Sequence, residues 1–141
     1  MQSSYFRMYI YLFVALYGTS GFYSCKSDEA SDINGYWKVI SIELPNKMSI
    51  AVDSQFYAFQ KKYVFSFTRL IDASNAAISY GYINYPQKNE IHILMDKNQT
   101  EEDFPLKSQW QAFEATFTIN TLSGNHLILE KGDTLFILKK Y

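Results

Sequence analysis

Short runs of alternating apolar and polar residues, each ended by a turn signal, constrain the fold of this chain more than any other feature. In Tyr63–Arg69 the side chains of Tyr63, Phe65 and Phe67 fall on one face, and Trp110–Leu122 repeats the same period of two. A period of two is the pattern of a β-strand with one buried face. Runs of this kind spaced about 8–12 residues apart predict an all-β antiparallel meander. We therefore expect about eight strands that close into a small β-barrel.

Two segments complete this prediction. The first strand, Tyr36–Leu44, is expected to place Trp37 and Ser41 on the same face. The one long polar stretch, Asp96–Gln109, interrupts the strand pattern and is predicted to be a loop with one helical turn near residues 100–103. Long loops in compact domains are often functional or mobile, so this stretch is a candidate for interaction with a partner.

The beginning of the chain has the three-part organisation of a secretory signal. A single positive charge, Arg7, precedes the mostly apolar stretch Met8–Tyr17, and small and aromatic residues lead to Cys25. The apolar stretch is shorter than the roughly 20 residues that a membrane-spanning helix needs. Residues 1–24 are therefore predicted to be a cleaved signal peptide, and residues 34–141 a single folded domain. Because the chain has one cysteine, no intrachain disulfide can form.

Phe22–Cys25 resembles the lipobox of bacterial lipoproteins, in which a small residue, here Ser24, precedes a cysteine that becomes acylated. The resemblance implies that Cys25 carries a diacylglycerol and an N-acyl chain such as palmitate, which would anchor the protein to a membrane. Residues 25–33 are then the lipidated cysteine and a short disordered tether, because Lys26–Asp32 is too polar to bury a core. The alternatives are a core strand or an ordinary signal peptide followed by a chance cysteine.

The start of the tether bears on the cellular location. Lys26 followed by acidic residues resembles the surface-export signal of lipoproteins in one phylum of Gram-negative bacteria. This resemblance implies an outer-membrane lipoprotein that is exposed on the cell surface. A plain solvated linker would instead leave the protein facing the periplasm, and both locations stay open.

Ile33–Val39 resembles the G-x-W opening of lipocalin-like barrels, with Gly35 and Trp37 at the matching positions. In that family the tryptophan closes the narrow end of the barrel and often stacks beneath a basic residue of the last strand. The end of this chain offers Lys139 or Lys140 as the cationic partner, and Lys139 is our candidate. From the cysteine onward, the order of motifs also resembles the small lipocalin-like lipoproteins of the same phylum. The resemblance implies a fold and an envelope location, but no reaction.

Aromatic side chains from neighbouring predicted strands are the main functional candidates: Tyr63, Phe65, Phe67, Tyr80 and Tyr82. In one interpretation they line a barrel pocket or an exposed stacking face, and the protein binds a small hydrophobic ligand without catalysis. In the other they fill the interior of a small barrel. The protein would then be a structural or protein-interaction module at the outer membrane, with a side-chain-filled barrel.

The remaining polar residues do not indicate catalysis. His92 and His126 lack a third ligand at zinc spacing, and the consecutive carboxylates of Glu101–Asp103 are typical of a solvated face. The chain has no G-x-S-x-G and no phosphate-binding loop. With 13 basic and 14 acidic residues it lacks the positive surplus that nucleic acids require. We expect a non-enzymatic protein without metal or cofactor, whose partners are the membrane and a hydrophobic ligand or an envelope protein.

Overall fold

A computed structural model describes residues 33–61 and 63–141, and β-strands dominate this part of the chain. The nine strands found there are β1 (Gly35–Glu43), β2 (Ser49–Ala51), β3 (Gln55–Gln60), β4 (Val64–Leu70), β5 (Ala76–Gln87), β6 (Glu90–Met95), β7 (Glu114–Ser123), β8 (His126–Lys131) and β9 (Thr134–Lys140). A 3₁₀ turn (Lys97–Gln99) and a short helix, α1 (Phe104–Lys107), lie between β6 and β7. None of the helices in these two stretches is long and apolar enough to span a membrane.

The sheet closes into a barrel because β1 pairs with β3 on one side and with β9 on the other. Eight antiparallel strands, β1 and β3 to β9, form the barrel, and β2 is an extra strand beside the end of β1. The predicted all-β antiparallel barrel is confirmed. The described residues enclose one hydrophobic core, which is the property of a domain that can fold independently.

Alternation along the strands decides which side chains fill the barrel. In β6, for example, Ile91, Ile93 and Met95 are buried, whereas His92 and Leu94 point outward. Successive side chains of a strand point to opposite faces, so each barrel strand contributes every second residue to the core. Burying one such large apolar side chain stabilises the fold by about 1.5–3 kcal/mol.

A β-bulge in β1 changes which residues face the core. The β1–β9 register shifts between Val39 and Ser41, so Ile40 is an extra residue in the ladder. After the bulge, Ile42 points inward and is fully buried, while Ser41 is only partly covered. The prediction that Ser41 shares the buried face of Trp37 is therefore wrong.

Trp37 closes the lower end of the barrel, where β1 begins and β9 ends. Its ring is fully buried, and its Nε1 donates a hydrogen bond to the carbonyl oxygen of Ile33 at 2.7 Å. The Nζ of Lys140 lies 4.4 Å from the indole centroid and donates to the carbonyl oxygen of Asn34. Gly35 makes room for this lysine, because at its φ of 123° a Cβ atom would lie 2.9 Å from that Nζ.

Our candidate for the cationic partner of Trp37, Lys139, does not take this position. In the β1–β9 ladder Lys140 stands opposite Trp37, whereas Lys139 stands opposite Lys38 and is exposed. Neighbouring side chains of a strand point to opposite faces, so only one of the two lysines can cover the indole. The choice of Lys139 is wrong, and the partner is Lys140.

We expect Lys140→Met to lower the free energy of unfolding by about 1–2 kcal/mol, because it removes a cation–π contact and a charged hydrogen bond. The matched change Lys139→Met, one residue away on the outer face, should alter stability by no more than about 0.5 kcal/mol. Urea unfolding of both variants measures the difference. Equal losses in the two variants would contradict the assignment of Lys140 as the closing residue.

Candidate functional site

The connection between β6 and β7 covers the end of the barrel opposite to Trp37, which we call the mouth. At the mouth β3 begins, β4 ends, and the chain leaves β6 to return in β7. We call residues 96–113 the plug segment. They include the polar stretch that the sequence predicts to be a loop, and they contain the 3₁₀ turn and α1.

Local residues set the path of the plug segment. The carboxylate of Asp96 accepts a hydrogen bond from the backbone N–H of Asn98, which starts the 3₁₀ turn. Pro105 stands in the first turn of α1, where its missing N–H is not needed. Gln109 and Gln111 both have a φ of 62°, which is unusual for residues with a side chain. These two left-handed residues flank Trp110 and turn the chain back toward the barrel.

Two aromatic side chains of the plug segment are buried inside the barrel. Trp110 is fully buried, and its indole lies 5.6 Å from the ring of Phe65 and 5.2 Å from that of Phe117. Phe104 packs edge-on against Phe67 at 5.1 Å and against Trp110 at 5.0 Å. Edge-to-face pairs contribute about 0.5–1.5 kcal/mol beyond the burial of the rings. The plug segment therefore supplies the upper part of the core.

A buried hydrogen bond fixes the position of Trp110. Its Nε1 donates to the hydroxyl oxygen of Tyr57 at 2.8 Å, and its backbone N–H donates to Oγ of Ser108 at 3.1 Å. All three residues are fully buried. Burial raises the pKa of Tyr57 above its ordinary value, and the bond from Trp110 offsets only part of this effect. Tyr57 is therefore neutral at physiological pH.

A polar rim lies between the plug segment and the ends of β3 and β4. Gln55 and Arg69 stand opposite each other there, nearer the mouth than the aromatic rings. Nε2 of Gln55 donates to the carbonyl oxygen of Lys107 at 2.8 Å, and Nη2 of Arg69 donates to the two carboxylate oxygens of Glu101 at 3.2 and 3.0 Å. Lys107 also pairs with Asp103 and thereby holds the pKa of that carboxyl below its usual range.

Three buried polar atoms of the mouth have no hydrogen-bond partner among residues 33–61 and 63–141. They are Oε1 of Gln55, Nε of Arg69 and Oγ1 of Thr100, and Gln55 as a whole is only 8% exposed. A buried polar group without a partner costs about 1–3 kcal/mol. Such groups in a folded protein call for an explanation. The mouth thus combines an aromatic interior with unused polar groups.

The sequence places this barrel in a known family. A family model described as a lipocalin-like domain matches residues 20–141. The chain belongs to the lipocalin-like domain family. No curated protein matches the chain significantly.

Two solved structures have a similar lipocalin-like fold. A lipocalin-like protein from Bacteroides uniformis ATCC 8492 superposes with a TM-score of 0.70 at 27% identity, over 78% of this chain and 99% of that chain. An uncharacterized protein from Bacteroides eggerthii DSM 20697 gives a TM-score of 0.69 at 22% identity, over 77% of this chain and 99% of that one. The second similarity shows the shared fold.

The lipocalin-like barrel buries two of the five aromatic candidates. Phe65 and Phe67 are inside and contact the plug segment. Tyr80 and Tyr82 alternate with the buried residues of β5 and are 41% and 61% exposed on the outer face. Tyr63 is 63% exposed and precedes β4 with a φ of 64°. The prediction of a pocket or core position is therefore wrong for these three tyrosines, which belong to the outer surface.

The outward tyrosines lie on an aromatic outer face. Tyr36, Ala58, Ser66 and Tyr80 are successive neighbours across β1, β3, β4 and β5. The two small residues are almost fully covered, while Tyr36 is 55% exposed. Large exposed apolar groups gathered on one face are typical of interaction surfaces.

Each of the two histidines lies near one polar side chain. Nε2 of His92 lies 3.8 Å from a carboxylate oxygen of Glu114, and Nδ1 of His126 lies 2.6 Å from Oδ1 of Asn125. Within the described stretches, no three His, Cys, Asp or Glu residues come together in a way that could hold a metal ion.

Cys25, the predicted site of lipid attachment, lies outside the described residues. The same holds for the predicted signal peptide, residues 1–24, and for the tether 25–33 up to its last residue. The assignment of residues 1–32 stays a prediction from the sequence. Ile33, the last residue of the predicted disordered tether, is fully buried in the core, so its assignment to the tether is wrong.

Sequence reasoning missed most of the residues that build the mouth. The interpretation of Glu101 as part of a solvated face is incomplete, because its carboxylate is bound to Arg69. Phe104 carried a usable signal, since a large aromatic residue isolated in a polar stretch is more often buried than exposed. Gln55 gave none, because a polar residue at the start of a strand is unremarkable. The prediction that the strand pattern begins at Trp110 is wrong, because β7 begins at Glu114 and Trp110 belongs to the plug segment.

Tyr57→Phe should be less stable than the wild type by about 1 kcal/mol at neutral pH, because Trp110 loses its hydrogen-bond acceptor. Above pH 10 this difference should shrink. Burial raises the folded-state pKa of Tyr57 above 10.0, so the unfolded chain ionises first and wild-type stability falls as the pH rises. The fall approaches about 1.4 kcal/mol per pH unit, and the variant lacks this contribution. Urea unfolding between about pH 7 and 11 measures it, and a pH-independent difference would contradict the burial of the hydroxyl.

Proposed function

We propose that this protein is a membrane-anchored lipocalin-like lipoprotein that binds a small hydrophobic ligand in the barrel mouth without catalysing a reaction. The observation that carries the proposal is the burial of Phe104 and Trp110, because they fill the upper interior from a connecting segment and not from the barrel wall. A ligand that replaces these two rings would find an aromatic wall already in place. Apolar cavities with a few polar groups at the opening are the usual form of small-molecule sites.

The contacts of the plug segment make such an exchange feasible. Side-chain hydrogen bonds with Gln55, Arg69 and Tyr57 join it to the barrel, whereas the strands are joined to each other by backbone ladders. The unpartnered polar atoms of the mouth raise the free energy of the closed arrangement. A ligand that supplies apolar surface and hydrogen bonds would compensate for the loss of the two rings.

Anchoring through Cys25 would orient the barrel. Ile33, whose carbonyl oxygen binds the indole of Trp37, lies at the lower end and follows Cys25 by only eight residues. Eight residues reach at most about 28 Å when extended. A lipid on Cys25 would therefore keep the lower end near the outer membrane and turn the mouth toward the aqueous side, on the periplasmic or the external face. The ligand would then be exchanged with that aqueous space.

Phe104→Ala should raise the affinity for an apolar probe such as 1-decanol by about tenfold or more. The substitution makes the closed plug less stable relative to the open, binding-competent state, and each 1.4 kcal/mol of this change increases the affinity tenfold. Titration calorimetry on residues 26–141 measures it. Leu106→Ala is the matched control, since Leu106 belongs to the same helix but is 73% exposed. The affinity of Leu106→Ala for 1-decanol should equal that of the wild type. Equal effects of the two changes, or no binding by either variant, would refute the mouth as the ligand site.

Fatty-acid labelling in a bacterial host tests the anchor. The wild-type protein should incorporate radiolabelled palmitate and fractionate with membranes, because acylation of the cysteine supplies the apolar chains that hold a protein to a bilayer. Cys25→Ala should lose both the label and the membrane association. Equal incorporation into both proteins would show that Cys25 is not the attachment site.

The outer face supports a second candidate, a structural or protein-interaction module with a filled barrel. Tyr36 on β1, Tyr80 and Tyr82 on β5, and Leu94 on β6 are all at least 41% exposed. Tyrosines on an open surface favour protein contacts, because the ring gives apolar area and the hydroxyl a hydrogen bond. Native mass spectrometry separates the two candidates. A co-purified small molecule supports ligand binding, and a ligand-free mass together with an unresponsive Phe104→Ala variant supports the module.

A further inference from the structure

The guanidinium of Arg69 is incompletely used in the closed mouth. Its Nη2 donates to both oxygens of Glu101, at 3.2 and 3.0 Å, while its Nε is buried and has no partner among the described residues. Arginine binds a carboxylate most strongly when two nitrogens on one edge each donate to one oxygen. Glu101 therefore pairs with Arg69 through one nitrogen only and does not form this two-nitrogen arrangement.

Unused polar groups belong to the residue opposite this arginine and to the residue that precedes its partner Glu101. Gln55 is opposite Arg69 in the β3–β4 ladder, is more than nine-tenths buried, and has an unpartnered Oε1. Thr100, one residue before Glu101, has an unpartnered and buried Oγ1. A hydroxyl can donate to a carboxylate, and an amide oxygen can accept from a neighbouring hydroxyl. The rim and the plug segment thus carry a cation, a hydroxyl and an amide oxygen whose hydrogen-bonding capacity is not fully used.

Below the rim the barrel wall is aromatic. The next inward pair of the ladder is Tyr57 and Phe67, and the pair after it is Phe59 and Phe65. From Arg69 to the level of Phe65 the strand extends for about 13 Å. The polar groups and the apolar wall are therefore separate along the barrel axis. This layering fits a molecule with one polar end and one apolar tail.

Resting on the proposed function, we propose that the ligand is an amphipathic carboxylic acid whose carboxylate replaces Glu101 on Arg69. Its tail takes the space that Phe104 and Trp110 fill in the closed mouth. Because one anion replaces another, the partly buried guanidinium keeps a counter-charge throughout the exchange. The displaced Glu101 keeps a cation as well, since Nζ of Lys107 lies 4.0 Å from its carboxylate.

The test compares decanoic acid with 1-decanol, which share a tail and differ in the head group. Both are titrated calorimetrically at neutral pH into residues 26–141 of the wild type and of Arg69→Met, Glu101→Gln and Asp103→Asn. The readout is the ratio of the two affinities, because any change in the ease of opening the plug affects both ligands and cancels. Asp103→Asn is the matched control for Glu101→Gln, since Asp103 pairs with Lys107 in the same segment.

We expect the wild type to bind the acid about tenfold or more tightly than the alcohol, because the carboxylate forms charge-assisted hydrogen bonds. Glu101→Gln should increase this ratio, Asp103→Asn should leave it unchanged, and Arg69→Met should bring it close to one while binding of the alcohol persists. A ratio near one in the wild type, or one that Arg69→Met does not change, overturns the carboxylate assignment and leaves hydrophobic binding intact. Failure of both ligands to bind the wild type and Phe104→Ala overturns the proposed function itself.

Discussion

The indole of Trp110 lies between aromatic rings that come from opposite walls of the barrel. It contacts Tyr57 of β3, Phe65 of β4 and Phe117 of β7, and it donates a hydrogen bond to the hydroxyl of Tyr57. An eight-stranded barrel has an interior just wide enough to be filled by side chains. In this chain the wall residues do not fill it alone, so packing of the upper core depends on a residue from a connecting segment. A large aromatic side chain buries roughly 150–250 Å², which makes this one of the largest single contributions to the core.

The two ends of the barrel are closed in different ways. At the lower end Trp37 is held by the carbonyl oxygen of Ile33 and by Lys140 of the paired strand β9. Closing this end is part of forming the β1–β9 ladder, so the lower end cannot open unless the pairing of β1 with β9 is broken. At the mouth, Trp110 is carried by the plug segment, which lies outside the ladders that close the barrel. Displacing the plug segment would therefore leave the strand ladders of the described residues paired.

The sequence predicts the strands and the barrel well but the mouth poorly. Alternation in β4, β6 and β7 is local information, and a period of two fixes which face of a strand is buried. The bulge at Ile40 is different, because an extra residue in one strand is defined only by the register of its partner β9. The choice between Lys139 and Lys140 depends on the same register. Neighbouring residues look alike in composition, yet the ladder sends one outward and the other onto Trp37.

The plug segment shows a second limit of sequence reasoning. Its polar composition predicts a loop with a helical turn near residues 100–103, and the structure places helical pieces on either side, at Lys97–Gln99 and Phe104–Lys107. What composition could not show is that the segment folds inward. Inward folding depends on the barrel beneath having space for an indole, which is a property of wall residues far away in the chain. The pairing of Arg69 with Glu101 follows from this long-range arrangement and has no local signal.

The free energy of closing the mouth combines a large favourable contribution from apolar burial with unfavourable contributions from buried polar atoms. Burial of Phe104 and Trp110 favours closure, whereas closure also buries polar atoms of Gln55, Arg69 and Thr100 without partners. At about 1–3 kcal/mol each, three such groups oppose a sizeable part of the gain from two aromatic side chains. A protein that needed only a sealed barrel could lower its free energy with apolar residues at these positions. Under the proposed function, these are the groups that a bound molecule would satisfy once Phe104 and Trp110 leave the mouth.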